Sequence, residues 1–452
     1  MNVPPSWAPY RPDESAPWDR RRVVHLHRRA SFGAPAEIVN RDLSDTPQAA
    51  IDRLLTNGTP SSESSSFEQT AALIGDAAVE SGNADRLKAW WIYRCLFSPL
   101  PLNERLTLLW HNHFATSNAK VNDLKLMKRQ NDTLRRNALA PFGVFLSEMA
   151  RDPALLEWLD APSNQKGKPN ENLARELLEL FSLGIGHYTE HDVRETARAL
   201  TGRTVREGAY FERAAAHDDG EKTCFGKTGH WNGDDIVRML VEHPATSKRL
   251  AWRLANEFFG EKVVDQAAFD ELASGLRDHN LDIGWGVSTI LRSRLFFSDA
   301  NIATRVCDPI THLLLPLRSL GLLRDPPGTL ILADWLGRMG QDLFYPPNVG
   351  GWNGGRSWLS TRTAIARSNY ATALVEGRLS ASLGRPDFPG LVGLNSAAPV
   401  GELIDQIAQR AFGDAQSRFV ERIRNQYSGA TDPDQAAKAV VAILTCPAAQ
   451  LN

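Results

Sequence analysis

The histidines and carboxylates that could do chemistry gather between residues 110 and 243. The run Trp110-His111-Asn112-His113-Phe114 sets two imidazoles two residues apart. On a strand that spacing turns both rings to one face, a common geometry for metal ligands. On a helix the two point about 200° apart and do not easily share an ion. Leu102, Leu106, Leu109, Trp110 and His113 follow a helical stripe, which turns His113 inward and His111 toward the opposite side unless the helix ends there. Thr116, Ser117 and Asn118 place its end close by. The rings are therefore either ligands or histidines satisfied by local hydrogen bonds. The letters H-N-H lack the strand–loop–helix unit of an HNH nuclease.

A second group follows in Asn170-Glu171-Asn172-Leu173-Ala174-Arg175-Glu176-Leu177-Leu178-Glu179. Glu176 and Glu179, at i and i+3, can stand on one helix face. Glu176 borders the Leu173/Leu177/Leu180 stripe, and a carboxylate there needs a cation, an amide or a metal. Bundle metal sites are built from helical carboxylates and inward histidines, although the Glu-x-x-His repeat of a di-iron site is missing. The alternative is a buried network with Arg175, Arg194, Arg198 or Arg203. His187, in a Gly-loosened loop, can fold toward the C-terminal end of the carboxylate helix, where the dipole favours an imidazolium. Together these residues predict a divalent-metal cleft with His111, His113 and Glu176 as ligands. Glu176, Glu179, His187 and Arg203 are its expected catalytic groups, Arg203 or Lys222 would orient an anionic substrate, and the Asn348–Trp352 loop would form a wall. Metal-assisted hydrolysis or oxidation would follow. The competing class is a non-catalytic scaffold in which the same residues form buried networks that fix helix register.

Other motifs fail on inspection. Gly226-Lys227-Thr228 lacks the glycine five residues earlier that a phosphate loop requires, Glu221 standing there. His217-Asp218-Asp219-Gly220 is an incomplete calcium loop and reads as a solvated hairpin tip. No G-x-S-x-G elbow, no G-x-G-x-x-G after a strand and no C-x-x-C-H site occurs. Cys95, Cys224, Cys307 and Cys446 form no C-x-x-C pair, and Cys95 falls on an apolar helical stripe. The 51 basic and 53 acidic residues nearly cancel, which argues against a general nucleic-acid binder. The basic run Arg20-Arg21-Arg22, His25, His27, Arg28 and Arg29 reads as a solvated helix face.

The elements that must position these residues are mainly helical. The 452 residues can bury a large core, and the pattern predicts a large irregular helical bundle with a small β-hairpin or loop insertion. Residues 1–66 are expected to hold an arm, helices over about 19–56 and the start of a Ser-rich linker, Asn57 to Glu68. Residues 67–378 form the main helical domain, with the β-like insertion at about 204–231. Residues 379–452 form a C-terminal helical segment. Thr189-Glu190-His191-Asp192 is a capping box for a helix through Leu200, and Gly202 is its stop. Asp234-Asp235 caps the next helix, and Pro316 kinks a helix over Ile310 to Leu320. Residues 344–358, FYPPNVGGWNGGRSW, are too rich in Gly and Pro for a regular element and form a rigid aromatic loop. The first residues lack the apolar core of a signal peptide, and no run approaches a membrane span. A cytoplasmic protein is the expectation, with export alongside a partner left open.

Four long segments, LNERLTLLWHNHFATSNAKV, ARDPALLEWLDAPSNQKGKPNENLARELLELFSLGIGHYTEHDVRETARALTGRT, KTGHWNGDDIVRMLVEHPATSKRLAWRLANEFFG and YPPNVGGWNGGRSWLSTRTAIARSNYA, resemble the bacterial domain-of-unknown-function family numbered eighteen hundred, over roughly residues 20 to 375. The family's recurring polar positions fall on His111, Asn112, His113, Asn170, Glu171, Arg175, Glu176, Glu179, Asp192, Arg203, Asn348 and Trp352. The resemblance implies no established activity or cofactor. Through association with neighbouring genes it implies a role with envelope or exported material and an exported sulfatase- or phosphatase-like partner.

Overall fold

A computed structural model describes residues 6–55, 62–379 and 384–452. The chain is mainly α. Three helices open it, α1 (Arg20–Ala30), α2 (Ala36–Ser44) and α3 (Pro47–Leu55). They are followed by α4 (Ser62–Glu80), α5 (Ala84–Phe97), α6 (Pro101–His113), α7 (Asn118–Val121), α8 (Leu124–Arg136), α9 (Phe142–Met149) and α10 (Pro153–Trp158). Then come α11 (Asn172–Glu176), continued by a π-helical turn over Leu177–Ser182, and α12 (Glu190–Ala199), which Thr189 and Asp192 open with the expected capping box. Two antiparallel hairpins stand in the predicted insertion: β1 (Arg203–Arg206) with β2 (Ala209–Glu212), and β3 (Lys222–Cys224) with β4 (Lys227–Gly229). The remaining helices are α13 (Gly233–Glu242), α14 (Pro244–Phe258), α15 (Gln266–Asp278), α16 (Ile283–Arg292), α17 (Pro309–Ser319), α18 (Thr329–Arg338), α19 (Thr361–Val375), α20 (Phe388–Leu391), α21 (Val400–Phe412), α22 (Arg418–Gln426) and α23 (Pro433–Thr445). Among the described residues no helix is long and apolar enough to cross a membrane.

The apolar side chains form two large cores. One gathers α6, α9, the α11 region and α12 to α16; the other gathers α5, α17 to α19 and the helices after residue 399. Helix α6 lies between them, with Leu102, Leu106 and Trp110 in the first and Leu108 in the second. Two adjacent buried charges on α6 fasten it to opposite neighbours. Glu104 accepts from Arg94 of α5 at 2.9 Å and from Arg135 of α8 at 2.7 and 3.0 Å. Burial alone would raise its pKa, but the two guanidiniums outweigh that and hold it below the usual carboxylate range. Arg105 pairs with Glu257 of α14 and with Asp308, the N-cap of α17, each at 2.6 Å.

Two expectations are corrected. The Ser-rich stretch is helical from Ser62 onward, because Phe67 stacks on Tyr93 at 5.7 Å and Glu68 binds Arg94 at 2.7 Å; the part from Asn57 to Ser61 lies outside the described residues. From Arg22 onward the basic face of α1 is buried rather than solvated, most of its side chains acting as donors to main-chain carbonyls. Arg22 reaches Phe297, His25 reaches Phe296, Arg28 reaches Ala411 and Leu451, and Arg29 reaches Asn301 and Asn452. His27 instead meets the buried Asp42 carboxylate at 2.7 Å. A buried guanidinium is tolerable when its N–H groups replace the hydrogen bonds of water, and irregular segments supply carbonyls that no helix or sheet has used.

Candidate functional site

Helix α6 ends at His113, and the two imidazoles beside Asn112 enter different cores. His111 is caged by Trp91, Phe344 and Trp352, with ring centroids 5.2, 5.8 and 5.8 Å away. Its Nε2 is buried without a hydrogen-bond partner, and burial lowers its pKa to about 3. His113 turns the other way, against Trp110, Phe114 and Phe181. Its Nε2 lies 3.1 Å from the Phe181 carbonyl. A carbonyl only accepts, so the proton sits on Nε2. Burial, then the charges of Arg253 and Arg249, hold this ring neutral.

The partner of His113 is the π-helical turn that follows α11. Its last carbonyls lie at a helix C-terminus, where donors and positive charge are favourable. Arg249 of α14 donates to Leu180 O at 3.3 Å and His113 to Phe181 O. His113 thus meets the segment that carries the carboxylates through its backbone, and no hydrogen bond joins it to Glu176 or Glu179 among the described residues. Glu179 accepts from the Tyr188 hydroxyl at 2.5 Å. Glu176 is half-buried and, among the described residues, makes no hydrogen bond or ion pair; burial and then Glu179 raise its pKa. Three of the four guanidiniums considered as its partners are engaged elsewhere. Arg175 holds Glu171 and Glu190, Arg198 holds Glu195 and Asp218, and Arg203 holds Asp234.

The remaining predicted residues disperse. His187 is exposed. Arg203 is buried as a strap between the Ala150 carbonyl and Asp234. Lys222 is buried, donating to Gly220 O at 2.9 Å, and burial lowers its pKa. Asn348 is exposed and shapes its own loop, accepting from Gly350 N at 2.9 Å. Among the described residues, no group of three His, Cys, Asp or Glu side chains stands close enough to hold a metal ion. The expected ligand set of His111, His113 and Glu176 thus does not converge, because helical geometry separates the two rings and Glu176 approaches neither.

Trp352 does line a cleft. Asn112 fixes its main chain, Oδ1 accepting from Trp352 N at 2.7 Å and Nδ2 donating to Trp352 O at 3.2 Å. The loop over 344–358 becomes one wall and α14 the other, enclosing about 330 Å³. Helix α14 contributes Trp252, Arg253, Asn256 and Glu257 to the lining, while the loop gives Trp352 and Trp358. Every lining carboxylate is neutralised. Glu257 is held by Arg105 and Arg305, Asp308 by the same pair, and Glu261 by Arg356 at 3.3 Å. For Asp308, burial would raise the pKa, but Arg105 and Arg305 hold it far below normal. Arg253 differs. Among the described residues it has no carboxylate within ion-pair distance, donates once, to Leu109 O at 3.3 Å, and leaves its buried Nε unpartnered. Burial brings its pKa down to about 10, so it stays a cation near neutral pH.

Arg253 and Trp252 were not among the sequence candidates. Their signal was present: Arg249, Trp252, Arg253, Asn256 and Glu257 occupy i, i+3, i+4, i+7 and i+8, the positions of a single helix face, yet they are polar or aromatic where a core stripe would be aliphatic.

The fold and the site define a mainly α protein with a preformed cleft between a helix face and a Gly/Pro-rich loop. The chain belongs to the family described as protein of unknown function (DUF1800), whose model matches residues 25–451, nearly the whole length. No curated protein and no solved structure matches.

Proposed function

We propose that this protein binds a small anionic ligand in the cleft between α14 and the 344–358 loop. The observation that carries this reading is Arg253, a cation without a carboxylate partner on a cleft wall where every carboxylate is already paired. An arginine with free N–H groups in a partly desolvated pocket is suited to a carboxylate, sulfate or phosphate oxygen. The lining contains no histidine or cysteine, and each of its carboxylates is ion-paired with a guanidinium. These are the traits of recognition rather than of proton transfer. Metal-assisted hydrolysis or oxidation built on His111, His113 and Glu176 is less well supported, since among the described residues no group of three His, Cys, Asp or Glu side chains stands close enough to hold a metal ion. The reading keeps the non-catalytic expectation and gives it a ligand. On it, the envelope or exported material implied by the family resemblance is the source of that ligand, and the exported partner is the protein that presents it.

The test is a tryptophan-fluorescence titration with acetate, sulfate and phosphate. At least one should give a saturable change that Arg253→Gln abolishes while its melting temperature stays within a few degrees of the parent. No saturable change, or the same change in Arg253→Gln, would overturn the reading.

A further inference from the structure

We propose, resting on the anion-binding reading above, that the ligand is a sugar acid: a pyranose-sized ring rich in hydroxyls that carries a single carboxylate. Three features of the cleft point to it. The first is charge. The lining holds three guanidiniums, Arg253, Arg305 and Arg356, against three carboxylates, Glu257, Glu261 and Asp308, and Arg105 stands behind, bound to two of those carboxylates. The net is one positive charge, matched by one anionic group. A nucleotide or any other polyanion would bring several negative charges to a site whose net charge offsets only one.

The second feature is aromatic. Trp252 is 41% exposed at the mouth, with the Arg249 guanidinium 4.6 Å from its ring centroid on one face. Trp352 and Trp358 lie on the opposite wall, with centroids 6.5 Å apart and planes tilted by 40°. Indole faces of this kind accept the C–H face of a sugar ring, which is apolar although the ring's edge is polar.

The third is the hydrogen-bonding inventory. Carboxylates already held by arginine retain lone pairs that can accept from hydroxyls, and Asn256 and Asn353 offer amides that both donate and accept. An aromatic acid without hydroxyls would strip water from those groups and return nothing. A volume of about 330 Å³ is near the lower end of the range of small-molecule sites, roughly 300–1,000 Å³, which suits one ring rather than a long chain.

Calorimetric titration with glucuronate, galacturonate and mannuronate, set beside glucose and acetate, tests this. At least one uronate should bind tenfold or more tighter than both glucose and acetate. Trp252→Leu should weaken that binding at least fivefold, and its exposed position keeps the fold intact, as a melting curve will verify. If acetate binds as well as every uronate, or if Trp252→Leu leaves uronate affinity unchanged, the sugar assignment is wrong while anion capture stands. If no anion binds in an Arg253-dependent manner, both fall.

Discussion

Asn112 grips the main chain of Trp352, 240 residues away, through both halves of its amide, accepting from Trp352 N and donating to Trp352 O. The neighbouring Gly351 makes that approach feasible. Its φ is +75°, and a Cβ there would fall inside contact distance of Asn112 Oδ1 and the Asn112 carbonyl. The cleft wall thus depends on an amide at the end of α6 and on the absence of a side chain beside it.

Asn112→Ala should therefore cost about 1–3 kcal/mol, the range for leaving buried polar partners unpaired. Gly351→Ala should cost at least as much, since strain at positive φ adds to the clash. Urea denaturation followed by tryptophan fluorescence measures both. Equal stability of either variant and the parent would show that the loop is held by other means.

Acidification should weaken the fold well before the carboxylates titrate. Burial lowers the pKa of His25, His111, His113 and His312, to about 3 for His111 and His312, from 6.5. In the window between the folded and unfolded values only the unfolded chain takes up these protons. Their contribution is thus complete above pH 6.5 and lost as pH falls, by up to about 1.4 kcal/mol per pH unit for each ring. Asp152 acts in the opposite sense, since burial raises it to about 6 from 3.8 and its protonated form is favoured in the fold. Glu176, also raised, acts in the same sense as Asp152, and four rings against these two carboxyls give a net loss on acidification. His111→Phe fits the same aromatic cage and removes an unpartnered Nε2, so it should be neutral or stabilising at pH 7 and should flatten the pH slope by up to one proton. Denaturation midpoints between pH 4 and 7 would show this. An unchanged slope would mean that His111 is not buried neutral.

How far the sequence disclosed this depended on how local the determining force was. The helices, the Thr189–Asp192 box, the break at Gly202 and the irregular loop over 344–358 follow from periodicity and backbone chemistry within a few residues, and they stand as expected. The opposed directions of His111 and His113 were implicit in the 3.6-residue repeat. Trp352, expected to line a site because it stands in a rigid Gly/Pro-rich loop, does line a cleft. The burial of Arg28 and Arg29 was not legible. Their partners are carbonyls of residues 301, 411, 451 and 452, and a carbonyl is present at every residue and leaves no mark in the letters. Glu176 seemed to require a partner because its stripe is apolar, yet its side chain is only half-buried, so the cost of leaving it without one is smaller than the stripe suggested.

Glu176→Gln should accordingly be tolerated. The ionised carboxylate is disfavoured by burial and by Glu179, so above its unfolded pKa of 4.5 its removal should change stability by less than about 1 kcal/mol, toward stabilisation. A loss of several kcal/mol in guanidinium denaturation at pH 7 would reveal a partner for the carboxylate.

Glu104→Gln should be the damaging counterpart. Glu104 is 1% exposed and accepts from Arg94 and Arg135, both nearly as deeply buried. The amide keeps the volume but removes the charge that offsets two desolvated guanidiniums, and one of its two acceptor oxygens becomes a donor facing them. Breaking a buried ion pair from one side costs about 3–5 kcal/mol. The loss should hold steady down to about pH 4.5 and shrink below it, because the parent's Glu104, which its two arginines hold below the usual carboxylate range in the fold, then gives up its own contribution. Because the carboxylate joins α5, α6 and α8, hydrogen exchange should quicken in all three helices together. Exchange confined to α5, or a stability within 1 kcal/mol of the parent, would mean that packing alone registers α6 between the two cores.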